Sequence, residues 1–238
     1  MKKFLKIFYI VFFTLALLSS KASAVPTWVH KIDITTNEDL PNGFTFNNDG
    51  TKMFITGHYT DDIEVYTLTT GFDISTASHV ESFPVNTEDE AGRDVKFNSD
   101  GTKMFYLGGT GINVYEYTLT TAFDVSSRSY VDSFSVSPVE FPEELEFSPD
   151  GTKMFVLDRT GSDVNEFKLT TGFDISTASY VQTLIVDVEE NTPTGLAFTY
   201  DGTKMFVTGF SGDDINEYTL STAFDVSTDS TEDRKSVV

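Results

Sequence analysis

The chain has 238 residues, a formal net charge of −21 and no cysteine. Such an acidic chain lacks the basic surface that nucleic acids and anionic membranes require, and disulfides cannot stabilise it. A packed core or bound ions must therefore hold the fold together, and the chain is long enough to bury such a core.

Residues 1–24 have the features of a secretory signal peptide. Lysines near the start precede the apolar run IFYIVFFTLALL, and the segment closes on Ala22–Ala24, a small-residue cleavage site. The apolar run is shorter than the roughly 20 residues that a membrane span needs, which argues against a transmembrane anchor. We therefore predict cleavage near Ala24, no membrane span in the mature chain, and a location outside the cytoplasm: periplasmic, secreted or on the cell surface.

An internal repeat fills the region 25–232. The hexapeptide DGTKMF recurs at Asp49–Phe54, Asp100–Phe105, Asp150–Phe155 and Asp201–Phe206, each time followed by a string close to TTGFDISTAS. The units cover about residues 28–77, 78–128, 129–178 and 179–228. Self-similarity at a fixed period indicates an architecture built from repeated supersecondary units.

Each unit contains four short segments rich in Val, Ile, Phe, Tyr and Thr, separated by Gly, Asp, Asn and Ser, which is typical of strands and turns. In the first unit we predict strand a at Phe44–Phe46, b at Lys52–Thr56, c at Ile63–Leu68 and d at Ser78–Val85. No segment shows sustained helical periodicity, so the chain is all-β. Tandem four-stranded units predict a β-propeller with antiparallel blades. A β-sandwich would not explain near-identical units of fixed length.

The string FSPDGTKMFV at Phe147–Val156 resembles the repeat signature of bacterial β-propellers of the YVTN and surface-layer type with SPDG turns. Lactonase-like and WD40-like propellers are also similar. The resemblance covers all four units and implies the architecture. It does not imply one function, because this superfamily includes protein-binding, scaffold and hydrolytic members.

The hexapeptide has the chemistry of a structural part. Asp49 and Gly50 suit a tight turn between strands a and b, while Met53 and Phe54 suit the gap between blades. Four ion sites at these turns are the alternative, although each turn offers one aspartate. We expect the four equivalent phenylalanines to be buried between blades: Phe54, Phe105, Phe155 and Phe206.

Antiparallel connectivity places the a–b and c–d turns at one end of each blade and the b–c and d–a loops at the other. We name this second end the loop face; it carries the variable loops, where binding residues are commonly found. Clustered carboxylates there suit Ca²⁺ or a basic partner surface, and arginines suit an anionic group. A solvated acidic surface is the alternative. The candidate ligand-binding residues are His58, Asp61, Asp62, Arg93, Glu143, Glu144, Arg159, Glu189, Glu190, Asp213 and Asp214.

We predict no catalytic residue and no required cofactor, with Ca²⁺ as the candidate ion. The predicted function is that of an exported, non-catalytic binding or scaffold module whose partner is a protein or a carbohydrate. The alternative is a lactonase-like propeller hydrolase, metal-dependent or not, in which His58 beside Asp61 and Asp62 would supply acid–base chemistry.

The ends of the repeat region suggest a larger propeller. The run TWVHKIDIT aligns with the d strands, and the repeat is lost at DSTEDRKSVV. We expect these four repeats to be a fragment of a six- to eight-bladed propeller, and residues 233–238 to be a non-native tail that resembles a translated sequencing adapter. In the alternative, the N-terminal strand closes a four-bladed ring.

Overall fold

The computed structural model describes residues 28–228 except 59, 86 and 213. The predicted signal peptide and the predicted non-native tail therefore lie outside the described residues. The chain divides into two compact units, residues 1–30 and 31–238, and the second contains all of the described strands. In the described part of the chain, no helix combines the length and apolarity needed to cross a membrane.

The fold is an all-β propeller of antiparallel blades, as predicted. Three sheets have four strands in the order of the chain, and the fourth has three described strands. Blade 1 contains β1 (Pro41–Phe46), β2 (Lys52–Gly57), β3 (Asp62–Leu68) and β4 (Ala77–Pro84). Blade 2 contains β5 (Gly92–Phe97), β6 (Lys103–Gly108), β7 (Asn113–Leu119) and β8 (Arg128–Ser135). Blade 3 contains β9 (Pro142–Phe147), β10 (Lys153–Asp158), β11 (Asp163–Leu169) and β12 (Ala178–Ile185), and blade 4 contains β13 (Pro193–Phe198), β14 (Lys204–Gly209) and β15 (Ile215–Thr219).

The first strand of each blade is the inner one. These strands contact one another in the series β1, β5, β9 and β13, and adjacent blades also meet through the second strands. The inner strands therefore line the axis of the propeller, and the fourth strands β4, β8 and β12 lie at the outside.

The repeated strings build the turn end of each blade. Gly50 has φ of 71°, and the ring of Phe72 lies where a side chain on this glycine would stand, so only glycine fits. The amide of Phe72 donates to the carbonyl of Gly50 at 3.0 Å, which joins the a–b turn to the c–d turn. Asp49 accepts from the amide of Thr51 at 3.0 Å, and Asp73 accepts from the amide of Ser75 at 3.0 Å. Both aspartates therefore stabilise their own turns.

The hydrophobic core lies between successive blades. Phe54, Phe105 and Phe155 are fully buried, each against the next blade along the chain, as expected. The fourth equivalent, Phe206, is only half-buried, because no described blade follows blade 4. The burial of this position therefore depends on a neighbouring blade and not on the hexapeptide alone.

In blades 2 and 3, a lysine–glutamate pair also holds the following blade. Lys103 donates to Glu116 and to the carbonyl of Phe173, both at 2.6 Å. Glu116 in turn accepts from the amide of Ile175 at 3.0 Å. The pair thus binds one carbonyl just before, and one amide at the start of, the 3-10 turn Ile175–Thr177 in the next blade. Blades 3 and 4 are joined in the same way by Lys153, Glu166, Phe224 and Val226.

The segment before β1 is not a strand in the structure. Residues 28–34 have no regular secondary structure, although the sequence aligns them with the d strands. Ile32 and Ile34 nevertheless pack on the core residues of blade 1. Phe83 of the outer strand β4, and Val85 just after that strand, pack on blade 2 in the same way. The sequence aligned this segment with the outer strands, but the structure gives residues 28–34 no strand conformation.

Candidate functional site: an arginine pair on the loop face

The loop face is built on a backbone contact that every blade repeats. In blade 3, Arg159 directly follows β10, and its amide donates to the carbonyl of Phe141 at 2.9 Å. The same contact joins the b–c loop to the d–a loop in the other blades. Because the side chains at these positions differ, one scaffold presents four different surfaces. The equivalent pairs are His58 with Leu40, Gly109 with Ala91, and Phe210 with Thr192.

A buried carboxylate lies beneath the paired loops of each blade. In blade 4, Glu190 accepts from the amides of Thr192 at 2.8 Å, Ser211 at 3.0 Å and Gly212 at 3.0 Å. Burial raises the pKa of Glu190, but these three amides outweigh burial and hold it below the ordinary value. Asp89 in blade 2 and Glu38 in blade 1 occupy the equivalent position.

Blade 3 supplies the equivalent carboxylate from strand β10 and not from the d–a loop. Asp158, at the end of β10, accepts from the amides of Glu140 at 2.7 Å, Phe141 at 3.0 Å and Thr160 at 2.9 Å. The other blades have glycine at this strand end, and a Cβ there would collide with the loop carboxylate. The glycines are Gly57, Gly108 and Gly209. Each blade therefore has room for one carboxylate at this point, supplied by the loop or by the strand.

Two arginines and an aromatic ring form a cluster between blades 2 and 3. Glu143 lies 3.8 Å from an Nη of Arg93 and 3.3 Å from an Nη of Arg159, so one carboxylate is shared by two guanidinium groups. Burial raises the pKa of Glu143, and the two arginines oppose that rise. The guanidinium of Arg93 lies over the ring of Phe141, 4.3 Å from its centroid. We name Arg93, Phe141, Glu143 and Arg159 the arginine cluster; its formal charge is +1.

The arginine cluster adjoins a surface cavity of about 380 Å³. The cavity is lined by Phe141, Arg159, Thr160, Asn191 and Thr192. The ring of Phe210, which is 69% exposed, lies 5.4 Å from the Arg159 guanidinium. A positive group, an exposed ring and polar groups therefore converge at one opening, which is the usual composition of a ligand site.

A second charged cluster lies on the inner strands. The Nζ of Lys96 is 3.3 Å from Asp94, 3.6 Å from Glu144 and 2.8 Å from Glu146. Burial raises the pKa of Asp94 to about 6 and that of Glu144 to about 7. Asp94 accepts from the amide of Leu145 at 3.1 Å, and Glu144 accepts from the amide of Leu196 at 2.5 Å. Asp94 thus links β5 to β9, and Glu144 links β9 to β13, so both carboxylates have a structural role.

The structure separates the predicted site residues into different environments. Arg93, Glu143 and Arg159 come together in the arginine cluster, whereas Glu144 and Glu190 are bound by backbone amides. Exposed His58 and half-buried Asp61 and Asp62 lie on the b–c side of blade 1, and burial raises the pKa of both aspartates. Glu189 lies half-buried in the turn before β13, Asp214 is exposed beside Asn216, and Asp213 lies outside the described residues. Among the described residues, no group of three or more His, Asp or Glu side chains could hold a metal ion.

Sequence reasoning missed the two aromatic members of this site. Phe141 and Phe210 follow no repeated pattern, since the equivalent positions hold Leu40 or Ala91 and His58 or Gly109. Their departure from the repeat at loop positions was the available signal. Side chains that differ between repeats at positions where the backbone is the same commonly determine binding specificity.

Comparison with solved structures finds the same propeller architecture. A putative 6-phosphogluconolactonase from Bacteroides uniformis matches with 14% identity and a TM-score of 0.57, over 76% of this chain and 50% of that one. A periplasmic gluconolactonase from Pseudomonas aeruginosa matches with 17% identity and a TM-score of 0.53, over 75% and 49%. A protein from Lactobacillus plantarum matches with 16% identity and a TM-score of 0.57, over 76% and 51%.

The chain spans about half the length of these solved structures. At such low identity the likeness shows the β-propeller fold alone. No protein-family model matches the chain, and a search of curated proteins finds no match.

Proposed function

We propose that this chain is a non-catalytic binding module that holds a carboxylate-bearing carbohydrate at the arginine cluster. The observation that carries the proposal is the sharing of Glu143 by Arg93 and Arg159 beside an open cavity. The features of residues 1–24 support an exported module, and the string FSPDGTKMFV supports kinship with propellers of the YVTN type.

The charge of the arginine cluster favours an anion. One carboxylate cannot neutralise two guanidinium groups, and Arg159 remains partly exposed next to the cavity. The buried Nε of Arg93 has no hydrogen-bond partner within the described part of the chain. A planar, always charged guanidinium that faces an opening is well suited to bind a carboxylate through paired hydrogen bonds.

The surroundings favour a sugar acid over a simple anion. Phe210 exposes an aromatic face next to Arg159, and Asn191 and Thr192 add an amide and a hydroxyl to the wall of the cavity. A sugar ring can lie on the aromatic face while its carboxylate meets the guanidinium and its hydroxyls meet the polar wall. The cavity volume of about 380 Å³ is within the range of small-molecule sites.

The test is a calorimetric titration with galacturonate oligomers, with neutral malto-oligosaccharides of equal length as the reference ligand. We expect binding of the acidic oligomer only, weaker at high salt, because the contact is between charges. Arg159→Gln should reduce the affinity about ten-fold or more, the usual effect of losing a hydrogen bond to a charged group.

Arg128→Gln is the matched control. Arg128 also lies over an aromatic ring, with its guanidinium 5.0 Å from the centroid of Phe83, but outside the arginine cluster. This variant should bind the acidic oligomer like the parent chain. Equal loss in both variants, or no binding of the acidic oligomer at all, would refute the proposal.

A lactonase-like hydrolase is the second candidate. Its support is the fold shared with a protein described as a putative 6-phosphogluconolactonase and with a periplasmic gluconolactonase, together with Asp163 at the loop face. Burial, and then the charge of Asp158, raise the pKa of Asp163 to about 6, near the range of a general base. Hydrolysis of glucono-δ-lactone by the chain, lost in Asp163→Asn, would favour this function over the binding module.

A further inference from the structure

Glu143 is bound differently from the other carboxylates on the inner strands. Asp94 and Glu144 each accept a hydrogen bond from a backbone amide of the next inner strand, at 3.1 and 2.5 Å. The carboxylate of Glu143 accepts from no backbone amide within the described part of the chain, although its side chain is only 10% exposed. Its partners are the two guanidinium groups of the arginine cluster, so no link between strands depends on this buried carboxylate.

The contacts of Glu143 with both arginines are long. One carboxylate oxygen lies 3.3 Å from an Nη of Arg159, and the other lies 3.8 Å from an Nη of Arg93, which is beyond hydrogen-bond distance. A charge-assisted hydrogen bond of this type usually measures about 2.7–2.9 Å, and paired bonds give it further strength. Glu143 therefore binds Arg159 through a single weak hydrogen bond. A carboxylate that approaches from the cavity and pairs with two nitrogens of that guanidinium can replace it.

Arg159 is held in place by groups other than Glu143. Its amide donates to the carbonyl of Phe141 at 2.9 Å. Its guanidinium lies 5.7 Å from the centroid of the Phe141 ring and 5.4 Å from that of the Phe210 ring. Both distances are within the range of about 6 Å over which an aromatic ring attracts a cation. Loss of the Glu143 carboxylate should therefore leave Arg159 in position and remove only its counter-charge.

Arg93 offers Glu143 a second, more deeply placed partner. Its side chain is 11% exposed, against 38% for Arg159, and its guanidinium lies over the Phe141 ring. A Cβ on Gly109 would lie 2.5 Å from the Nε of Arg93, so the arginine packs directly against the backbone of this glycine. Of the two arginines, it is Arg159 that lines the cavity. A ligand therefore meets Arg159, while Glu143 can bind either arginine.

We propose that Glu143 competes with the ligand's carboxylate for Arg159 and that it moves onto Arg93 when the ligand binds. In the free protein the two guanidinium groups share Glu143, and in the complex each has a carboxylate of its own. This inference rests on the proposed function, because it describes how the same site exchanges its internal carboxylate for that of the ligand. The exchange makes the site selective: a simple anion replaces Glu143 with no other gain, whereas a sugar acid also contacts Phe210 and Thr192.

The test is a double-mutant cycle measured by calorimetric titration with a galacturonate trimer. Glu143→Gln keeps the shape of the side chain but removes the competing charge, so the affinity should rise about three- to five-fold, the size of a weak ion pair. Arg93→Gln leaves Glu143 with Arg159 alone, so the affinity should fall by a similar factor. In the Glu143→Gln background, Arg93→Gln should change the affinity by less than about two-fold, because no competing carboxylate remains.

Glu140→Gln controls for the loss of a negative charge. Glu140 is an exposed acid next to Phe141 in the d–a loop of blade 3, outside the arginine cluster. This variant removes the same charge from the loop face and should change the affinity by less than about two-fold. Circular dichroism checks that each variant is folded. If Glu143→Gln is not, Glu143→Thr replaces it, because blade 4 has Thr194 at the equivalent position.

Each result decides the inference. An equal or lower affinity in Glu143→Gln means that Glu143 positions Arg159 and does not compete for it, which overturns the inference while the proposed function stands. An equal gain in Glu140→Gln reduces the effect to general charge and overturns the inference as well. A loss in Arg93→Gln that is the same in both backgrounds excludes the exchange of Glu143 between the two arginines. If neither the parent chain nor any variant binds the trimer, the proposed function itself is refuted, and the inference with it.

Discussion

Replacement of Asp89 by alanine removes the carboxylate that joins the two loops of blade 2. This side chain accepts from the amides of Ala91 at 3.1 Å, Thr110 at 2.9 Å and Gly111 at 2.6 Å, and the residue is only 4% exposed. Hydrogen bonds to a charged group contribute about 1.5–3 kcal/mol each, and water reaching the loop face replaces part of that energy. We expect the free energy of unfolding to fall by about 3 kcal/mol. For a domain of this size the melting temperature should drop by about 6–12 °C.

Blade 3 indicates how the loss can be reversed. There Asp158 supplies the carboxylate from the strand position that Gly108 occupies in blade 2. Gly108→Asp alone should destabilise the protein, because the new Cβ collides with Asp89. In the Asp89→Ala background the same change should restore at least half of the lost stability, about 1.5 kcal/mol. The double variant should thus be more stable than either single variant.

Urea unfolding of the four proteins followed by circular dichroism measures this coupling. Asp39→Ala, which removes an exposed acid of the same face, serves as the control and should change the free energy of unfolding by less than about 0.5 kcal/mol. The reasoning is refuted if the double variant loses the sum of the two single losses. That outcome would mean that the two carboxylate positions do not serve the same amides.

Three further measurements test other parts of the structure. Burial raises the pKa of Asp94 to about 6 and that of Glu144 to about 7. The stability that the two protonated carboxyl groups contribute is therefore complete below about pH 4 and is lost as the pH rises through those values. The melting temperature should fall from about pH 5 to about pH 8, and it should fall less in the double variant Asp94→Asn/Glu144→Gln. Phe155→Ala should lower the free energy of unfolding in urea by about 3–5 kcal/mol, and Phe206→Ala should lower it clearly less, because of these two only Phe155 is fully buried. Equal losses in the two variants would contradict the described packing. Millimolar calcium should raise the melting temperature if the loop-face carboxylates bind it, since a ligand of the native state stabilises that state, and an unchanged temperature would leave them as surface charge.

Local sequence rules were enough to predict the blades. Alternating strands and turns at a fixed period require only short-range chemistry: a glycine with positive φ at Gly50, side-chain caps at Asp49 and Asp73, and apolar residues at fixed phase from each turn. The all-β propeller, the positions of the strands and the division into two ends followed from these rules. The resemblance carried by FSPDGTKMFV pointed to the same fold without indicating a function.

The tertiary structure alone decided what each carboxylate and each repeated apolar residue does. Glu190 and Asp214 are both acids of one blade's loop face, yet Glu190 is buried under three amides while Asp214 is exposed, because only one of them lies where two loops meet. Phe155 and Phe206 have identical hexapeptides, but their burial differs because burial needs a neighbouring blade. The arginine cluster likewise brings together side chains from two blades. Such long-range proximity depends on how the sheets pack, and no local pattern in the chain records it.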